Sequence, residues 1–151
     1  MRLFQSYPAL LEHFYRVTAI FLNLSKPLIL RSRMIQRSLI ITEQLFKKPV
    51  FDCQMCGQCV LHNTGMTCPM TCPKNLRNGP CGGVRNNGNC EIKPEMACVW
   101  VNAWERSKQM SVHGSKINVI MAPLDRRLQG TSAWVNELSG RMEIIQDEWS
   151  S

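Results

Sequence analysis

Cysteine is the residue type in this sequence with the clearest capacity for chemistry, and its eight copies all lie in one stretch rich in glycine and proline. The first three form a Cys-x2-Cys-x2-Cys run, CQMCGQC, and the others follow within CPMTCPKNLRNGPCGG and NGNCEIKPEMACVW. The full set is Cys53, Cys56, Cys59, Cys68, Cys72, Cys81, Cys90 and Cys98. Thiols at this density indicate either disulfide bonds or metal ligation.

The N-terminal residues argue against disulfides. Dense bridging is typical of small secreted chains, which need an export signal. Glu12, His13 and Arg16 interrupt the apolar residues here, so we expect no signal-peptide core. No apolar run approaches the roughly 20 residues that a membrane span requires. We therefore predict a cytoplasmic protein whose cysteines stay reduced and bind metal.

The spacing of the cysteines leaves the kind of metal open. Thiolates bind zinc in tetrahedral four-cysteine sites and also hold iron–sulfur clusters. The Cys-x2-Cys-x2-Cys run is typical of 4Fe-4S ligation, but eight residues separate Cys59 from Cys68, and a Cys-Pro pair comes only at Cys72. By count, the eight cysteines match two four-cysteine centres. One or two 4Fe-4S clusters, zinc, or a mixture of the two all remain possible.

Few other residues suggest chemistry. Gly57, Gly82 and Gly83 adjoin the cysteines, where they free backbone N–H groups to hydrogen-bond cluster sulfurs or simply permit tight turns. His62 is a possible extra ligand, whereas His13 and His113 are isolated in the sequence. No dinucleotide or phosphate-binding motif and no nucleophile–base pair is found. We therefore predict no catalytic residue and no organic cofactor site in this chain.

The positive charge is concentrated near the N-terminus. The formal net charge is +7, and residues 1–50 hold eight Lys or Arg against two Glu. A basic balance raises the question of nucleic-acid binding. The charges are spread among apolar residues, however, and no basic reading helix accompanies the cysteines. We therefore expect no nucleic-acid partner and interpret these charges as a solvated helix face.

Hydrophobic periodicity and turn residues predict the following elements. Helices are expected at residues 8–24, 27–46, 94–110 and 131–138, with Pro49 ending the second one and Gly140 the last. A short strand is expected at 119–121, and little regular structure at 50–98. The predicted fold is a small, irregular α+β domain stabilised by metal, with a Cys-rich, loop-dominated core and flanking helices. Its divisions are an N-terminal helical arm (1–46), the Cys-rich metal domain (47–141) and an acidic tail (142–151).

The arm has a distinct role in this interpretation. Apolar residues cover about half of its second helix, which is more apolar surface than a small cysteine-rich module can bury. Packing on a partner protein, on the rest of the chain or on a membrane surface would each account for this surface. We favour partner docking.

The sequence also resembles a known family. CQMCGQCVLHNTGMTCPMTCPKNLRNGPCGG, GNCEIKPEMACVWVNAWER and PLDRRLQGTSAWVNELSGR are similar to the C-terminal domain of methylenetetrahydrofolate reductases. That domain also occurs as a separate small subunit, the MetV type. The resemblance covers roughly residues 47–141 and leaves out the N-terminal helices.

The resemblance implies an accessory role in one-carbon, tetrahydrofolate metabolism. A flavin-containing catalytic barrel subunit would carry the reductase activity, with further redox subunits as additional partners. This chain would hold iron–sulfur through its eight cysteines, with zinc as a further candidate metal, and would pass electrons to or from the flavin. A non-redox zinc scaffold is the alternative. The GTSAW segment is a family signature to which the sequence assigns no role.

Overall fold

The computed structural model describes residues 7–142 of the chain, and within them it is helical. Its α-helices are α1 (Pro8–Leu24), α2 (Lys26–Arg31), α3 (Arg33–Phe51), α4 (Val99–Ser107) and α5 (Ala133–Leu138). No β-strand forms within these described residues, and the extended pairing found there is one isolated antiparallel bridge between Asn89 and Ala97. The predicted α+β class is therefore wrong.

The strand predicted at 119–121 is wrong for a physical reason. A short apolar run does not itself specify a strand, because a strand needs a neighbouring chain to take its backbone hydrogen bonds. Val119 instead ends a 3-10 turn at Gly114–Asn118, donating its N–H to the Lys116 carbonyl. Residues 120–125 have no regular structure.

The loop-dominated character of the cysteine stretch is partly confirmed. Residues 52–98 contain two short 3-10 turns, Leu61–Asn63 and Pro69–Thr71, and otherwise irregular backbone. The helix predicted at 94–110 starts later, at Val99, because Cys98 has extended backbone angles and the preceding residues form turns.

The N-terminal helices follow the prediction with two changes. α1 covers the predicted residues, but Ser32 adopts an extended conformation (φ −105°, ψ 111°) and separates α2 from α3. The Gln36 side chain compensates by donating to the carbonyls of Ile29 and Leu30. The prediction that Pro49 ends the helix is wrong. Its fixed φ is itself helical, and α3 continues to Phe51; the next residue, Asp52, has a φ of +52°.

The described residues divide into two compact units, and the first consists of residues 7–12 and 60–120. Its centre is the almost continuously buried segment 60–70, in which Met66 is 1% exposed. Arg106 of α4 donates to the Thr67 hydroxyl at 2.9 Å. Gly65 lies so close to α4 that an added Cβ would stand 2.3 Å from the Ala103 carbonyl.

Glu12 joins the start of α1 to a distant part of this first unit. Its buried carboxylate accepts backbone N–H bonds from Ser111, Val112 and His113, and it lies 3.0 Å from His113 Nδ1. Burial alone would raise the pKa of this carboxyl. The hydrogen bonds from His113, Ser111 and Val112 outweigh burial, so the pKa is lowered.

The second unit consists, among the described residues, of 13–59 and 121–142. Its apolar core is formed by residues of α1, α2, α3 and α5: Leu22, Ile29 and Leu138, with Ile35, Leu39, Trp134 and Val135 packed around them. The predicted helix at 131–138 is confirmed as α5. Ser132 caps it by accepting from the Val135 N–H at 3.2 Å.

Membrane-spanning helices and the acidic tail can be assessed only within residues 7–142. No helix among residues 7–142 is long and apolar enough to cross a membrane. The predicted acidic tail, 142–151, lies almost wholly outside the described residues. The roles assigned to residues 1–46 and 47–141 stay predictions.

Candidate metal centre

The structure places all eight cysteines within its described residues, and none forms a disulfide. Cys68 and Cys98 are buried, Cys81 is exposed, and the others are intermediate. Within residues 7–142, no three His, Cys, Asp or Glu side chains stand close enough together to hold a metal ion in their present positions. The question is therefore whether the thiols share surroundings that suit a metal.

Four cysteines of the first unit do share one cavity. Cys72, Cys81, Cys90 and Cys98 line it together with apolar neighbours and one Lys–Glu pair. The cavity volume, about 20 Å³, is sufficient for one water molecule or one ion. We call this cavity the four-thiol pocket. Its donor set fits a zinc ion, which prefers four sulfur ligands in a structural site.

Backbone hydrogen bonds of the turn region 88–98 position two of these thiols. Cys90 donates its N–H to the Met96 carbonyl at 2.8 Å, and Cys98 donates to the Gly88 carbonyl at 2.9 Å. The Asn89 side chain donates to the Pro94 carbonyl at 2.7 Å. These bonds fix the backbone on both sides of the turn, at Cys90 and at Cys98, and both residues line the pocket.

The lining of the four-thiol pocket also contains a charged pair. Glu91 forms an ion pair with Lys74, and its Oε1 lies 3.6 Å from Cys81 Sγ. Gly83 makes room for this carboxylate, because a Cβ there would overlap the Glu91 oxygens. Trp100 forms part of the pocket lining, and its ring N–H donates to the Leu76 carbonyl at 3.0 Å.

The Cys-x2-Cys-x2-Cys run belongs to the second unit and forms a separate loop. Met55 (φ +48°) and Gly57 (φ +73°) are left-handed, so the backbone turns sharply between successive cysteines. The Met55 N–H donates to Cys53 Sγ at 3.4 Å, the kind of N–H···S bond that stabilises a thiolate ligand. Cys56 Sγ lies 3.5 Å from the Gln58 carbonyl.

Residues 125–136 hold this loop in place. The Gly130 N–H donates to the Met55 carbonyl at 2.8 Å, and the Asn136 amide donates to the Gly57 carbonyl at 2.8 Å. The buried Gln58 side chain accepts from the Asp125 N–H at 2.7 Å. We call residues 125–136 the clamp segment. The GTSAW signature lies inside it and so acquires a structural role that the sequence did not reveal.

A lysine adds positive charge near the run. Lys47 is buried beside Glu43, with Nζ 2.5 Å from Oε1. Burial lowers the pKa of Lys47, but attraction to Cys59, Glu43 and Cys53 outweighs burial, so the pKa is raised and the side chain is charged. Burial also raises the pKa of the Cys53 thiol to about 11. Metal binding at Cys53 would therefore release a proton.

The remaining candidates do not join either group of thiols. Cys68 is buried in the first unit and does not line the four-thiol pocket. The His62 ring stands edge-on to His113 at 5.7 Å. Burial, with Lys116 and His113 nearby, lowers the pKa of His62 to about 4, so this imidazole is neutral. His113 is not isolated, because it contacts Glu12.

These features define a helical, cysteine-rich protein with a four-thiol pocket and a clamped Cys-x2-Cys-x2-Cys loop. The sequence profile described as the C terminal of methylene-tetrahydrofolate reductase matches residues 33–127, more than half of the chain. The chain therefore belongs to the methylene-tetrahydrofolate reductase C-terminal family, as the resemblance indicated. No curated protein and no solved structure matches it significantly.

Family membership links the chain to methylenetetrahydrofolate reductase and to one-carbon metabolism. It also indicates association with an enzyme of that type. The match begins within α3, so α1 and α2 lie outside it.

Proposed function

We propose that this protein is the accessory iron–sulfur electron-transfer subunit of a methylenetetrahydrofolate reductase. In this proposal the flavin lies in a separate catalytic subunit, and the present chain passes electrons to or from it. The observation that carries the proposal is the clamped Cys53–Cys59 loop in a chain of this family. A cluster bound there would supply one-electron transfer.

The residues around the loop suit this role in two ways. Cys53, Cys56 and Cys59 are partly exposed, so electrons can reach a centre near the surface. Asn136, Gln58 and Gly130 hold the loop through hydrogen bonds, which limits its movement when the charge of the centre changes. Such a preorganised site lowers the structural rearrangement that accompanies electron transfer.

We assign zinc to the four-thiol pocket, because four cysteines line this one cavity. Cys72, Cys81, Cys90 and Cys98 would be its ligands, and Glu91 with Lys74 would lie beside Cys81. Zinc there would stabilise the fold, as four-cysteine sites do in other small domains.

Metal analysis of anaerobically purified protein tests both assignments. We expect a brown protein that contains iron and zinc. Cys56→Ser should remove iron and leave zinc, whereas Cys90→Ser should remove zinc and leave iron. A protein in which each substitution removes both metals would contradict two separate centres. A colourless wild-type protein with only zinc would contradict the electron-transfer role.

That last result would support the second candidate function, a non-redox zinc scaffold for the same enzyme. The observation that favours it is that four cysteines line one pocket, the ligand number of a structural zinc site. The scaffold predicts that visible absorbance is absent and that zinc alone restores the folded protein after chelation.

We further propose that an apolar face of α1 docks on the flavin-containing catalytic subunit. Phe14, Val17, Phe21 and Leu24 follow helical spacing on one side of α1 and are each more than half exposed. Contiguous apolar surface of this kind is typical of protein interfaces.

Point substitutions test the docking face better than truncation. Leu22 and Ile29 belong to the core of the second unit, so removing residues 1–46 would disrupt the fold. We expect Phe14→Glu with Phe21→Glu to abolish co-purification with the catalytic subunit and to leave the metal content unchanged. Gln44→Glu, at an exposed position of α3, is the charge control. Undiminished co-purification of the double variant would show that another surface makes the contact.

A further inference from the structure

A buried ion pair in α3 is the feature of the second unit that the proposed function leaves unexplained. Lys47 is 7% exposed and Glu43 is 1% exposed, and both lie among residues that pack in the protein interior. The Lys47 ammonium also lies 4.3 Å above the centre of the Trp134 ring. Burying two charges costs about as much as their attraction returns, so stability alone gives little reason for such a pair.

The two charged residues differ in how near they lie to the cysteines along the chain. α3 ends at Phe51 and Cys53 follows almost at once. Lys47 lies one helical turn, about 5.4 Å, nearer to that end than Glu43 does. The charge of Lys47 acts on Cys53 and Cys59, while Glu43 Oε2 is buried without a hydrogen-bond partner. The residue that carries the positive charge is therefore the one nearer to the end of α3 from which the cysteine run follows.

We propose that Lys47, oriented by Glu43 and Trp134, is a positioning residue that supplies a fixed positive charge to the metal centre of Cys53, Cys56 and Cys59. The inference rests on the proposed function of those cysteines. Thiolate ligands make such a centre negative, and an added electron makes it more so. A nearby buried cation therefore favours the reduced state, and a nearby anion opposes it.

Two substitutions to glutamine, one at each residue of the ion pair, distinguish an electrostatic role of Lys47 from a purely structural one. Lys47→Gln removes the cation, and Glu43→Gln removes the anion that offsets it. Their effects on the centre should have opposite signs, whereas a loss of packing would change both variants in the same sense. Lys48→Gln is the matched control, because it removes the same charge from an exposed neighbouring position. Lys47→Arg keeps the charge and should preserve the wild-type behaviour.

The experiment is a redox titration of the purified full-length protein with dithionite and mediator dyes, followed by electron paramagnetic resonance. For Lys47→Gln we expect the ratio of reduced to oxidised centre at a fixed potential to fall about tenfold, which corresponds to about 59 mV for one electron. For Glu43→Gln we expect the ratio to rise. Equal midpoints in wild type, Lys47→Gln and Glu43→Gln, or shifts of the same sign, would overturn the inference.

The metal content of the wild-type protein distinguishes this failure from failure of the proposed function. If the loop holds zinc and no iron, the electron-transfer role is refuted, and zinc retention against a competing chelator becomes the measurement. Lys47→Gln should then lose zinc more readily and Glu43→Gln less readily. A wild-type loop that binds neither metal would refute both. If Lys47→Gln does not fold, Glu43→Gln decides the sign, because it leaves the cation in place.

Discussion

Gly57 is the position at which one added methyl group tests the clamped loop most directly. Its φ is +73°, and a Cβ there would stand 2.2 Å from the Leu128 carbonyl oxygen and 2.8 Å from Thr131 Oγ1. The first of these contacts is with backbone, so rotation of a side chain cannot relieve it. Gly57→Ala should therefore push the loop away from the clamp segment.

The expected cost has three parts. A left-handed alanine costs about 1–2 kcal/mol. Overpacking adds about 1–3 kcal/mol. Loss of the hydrogen bond from Asn136 to the Gly57 carbonyl adds about 1 kcal/mol. Gly130→Ala is the matched control: its φ is +80°, but nothing lies within 4 Å of an added Cβ. It should show only the first part, leaving a difference of about 3 kcal/mol between the variants.

The assay is thermal unfolding of the metal-loaded proteins, with iron measured for each variant. For a chain of this size, that difference corresponds to a Tm roughly 6–12 °C lower for Gly57→Ala than for Gly130→Ala. We also expect Gly57→Ala to contain less iron, because the three cysteines lose their common support. Equal stability and equal iron content in the two variants would refute the clamp as the support of the loop.

Three further predictions concern Glu12, Trp100 and the four-thiol pocket. Glu12→Gln should lower the free energy of unfolding by about 2 kcal/mol near neutral pH. Because folding lowers the pKa of the Glu12 carboxyl, the loss of stability in Glu12→Gln should be complete above pH 4.5, the ordinary pKa of a glutamate. The loss should disappear as the pH falls through the pKa of the folded protein. A loss of stability that does not change with pH would contradict the ionic role of Glu12. Trp100→Phe should cost about 1–2 kcal/mol in urea unfolding, because the Leu76 carbonyl loses its donor, and an unchanged midpoint would contradict this. After zinc chelation, hydrogen exchange should rise in residues 72–98 before it rises in 60–70, and simultaneous loss of protection would contradict separate support of these segments.

The sequence predicted the family because family membership depends on residue identity and spacing. The assignment of all eight cysteines as metal ligands stays a prediction. The helices α1 and α5 were also predictable, since Pro8 and Ser132 are local start signals and apolar periodicity follows them. Cys72, Cys81, Cys90 and Cys98 share a pocket, however, and spacing alone did not separate them from Cys68. Which thiols meet depends on the turns between them.

Predictions that depended on one residue or one short run were less reliable. Pro49 was expected to end α3, but a proline in a last helical turn removes one hydrogen bond and leaves the backbone angle helical. The apolar run at 119–121 looked like a strand, but no neighbouring strand was available to pair with it among the described residues. In both cases the surroundings decided the structure.

Buried polar side chains were the features least accessible to sequence reasoning. Gln58 and Asn136 are nearly inaccessible to solvent, and each bonds to backbone more than 60 residues away in the chain. Glu12 does the same across about 100 residues. A polar residue type normally indicates exposure, so such partners become visible only in three dimensions. The GTSAW segment is the clearest case, because its role depends on contacts with residues 54–58.

The two groups of thiols differ in what supports them, and this difference matches their proposed roles. The Cys53–Cys59 loop is held to the clamp segment by two buried side chains: Asn136 of the clamp donates to the Gly57 carbonyl, and Gln58 of the loop accepts from the Asp125 N–H. The four-thiol pocket is held mainly by short-range turns, with Cys81 and residues 92–95 exposed. A loop with fixed support suits an electron carrier, which must change its charge without rearranging. A pocket with little support of its own suits a structural ion, because metal binding then contributes directly to folding.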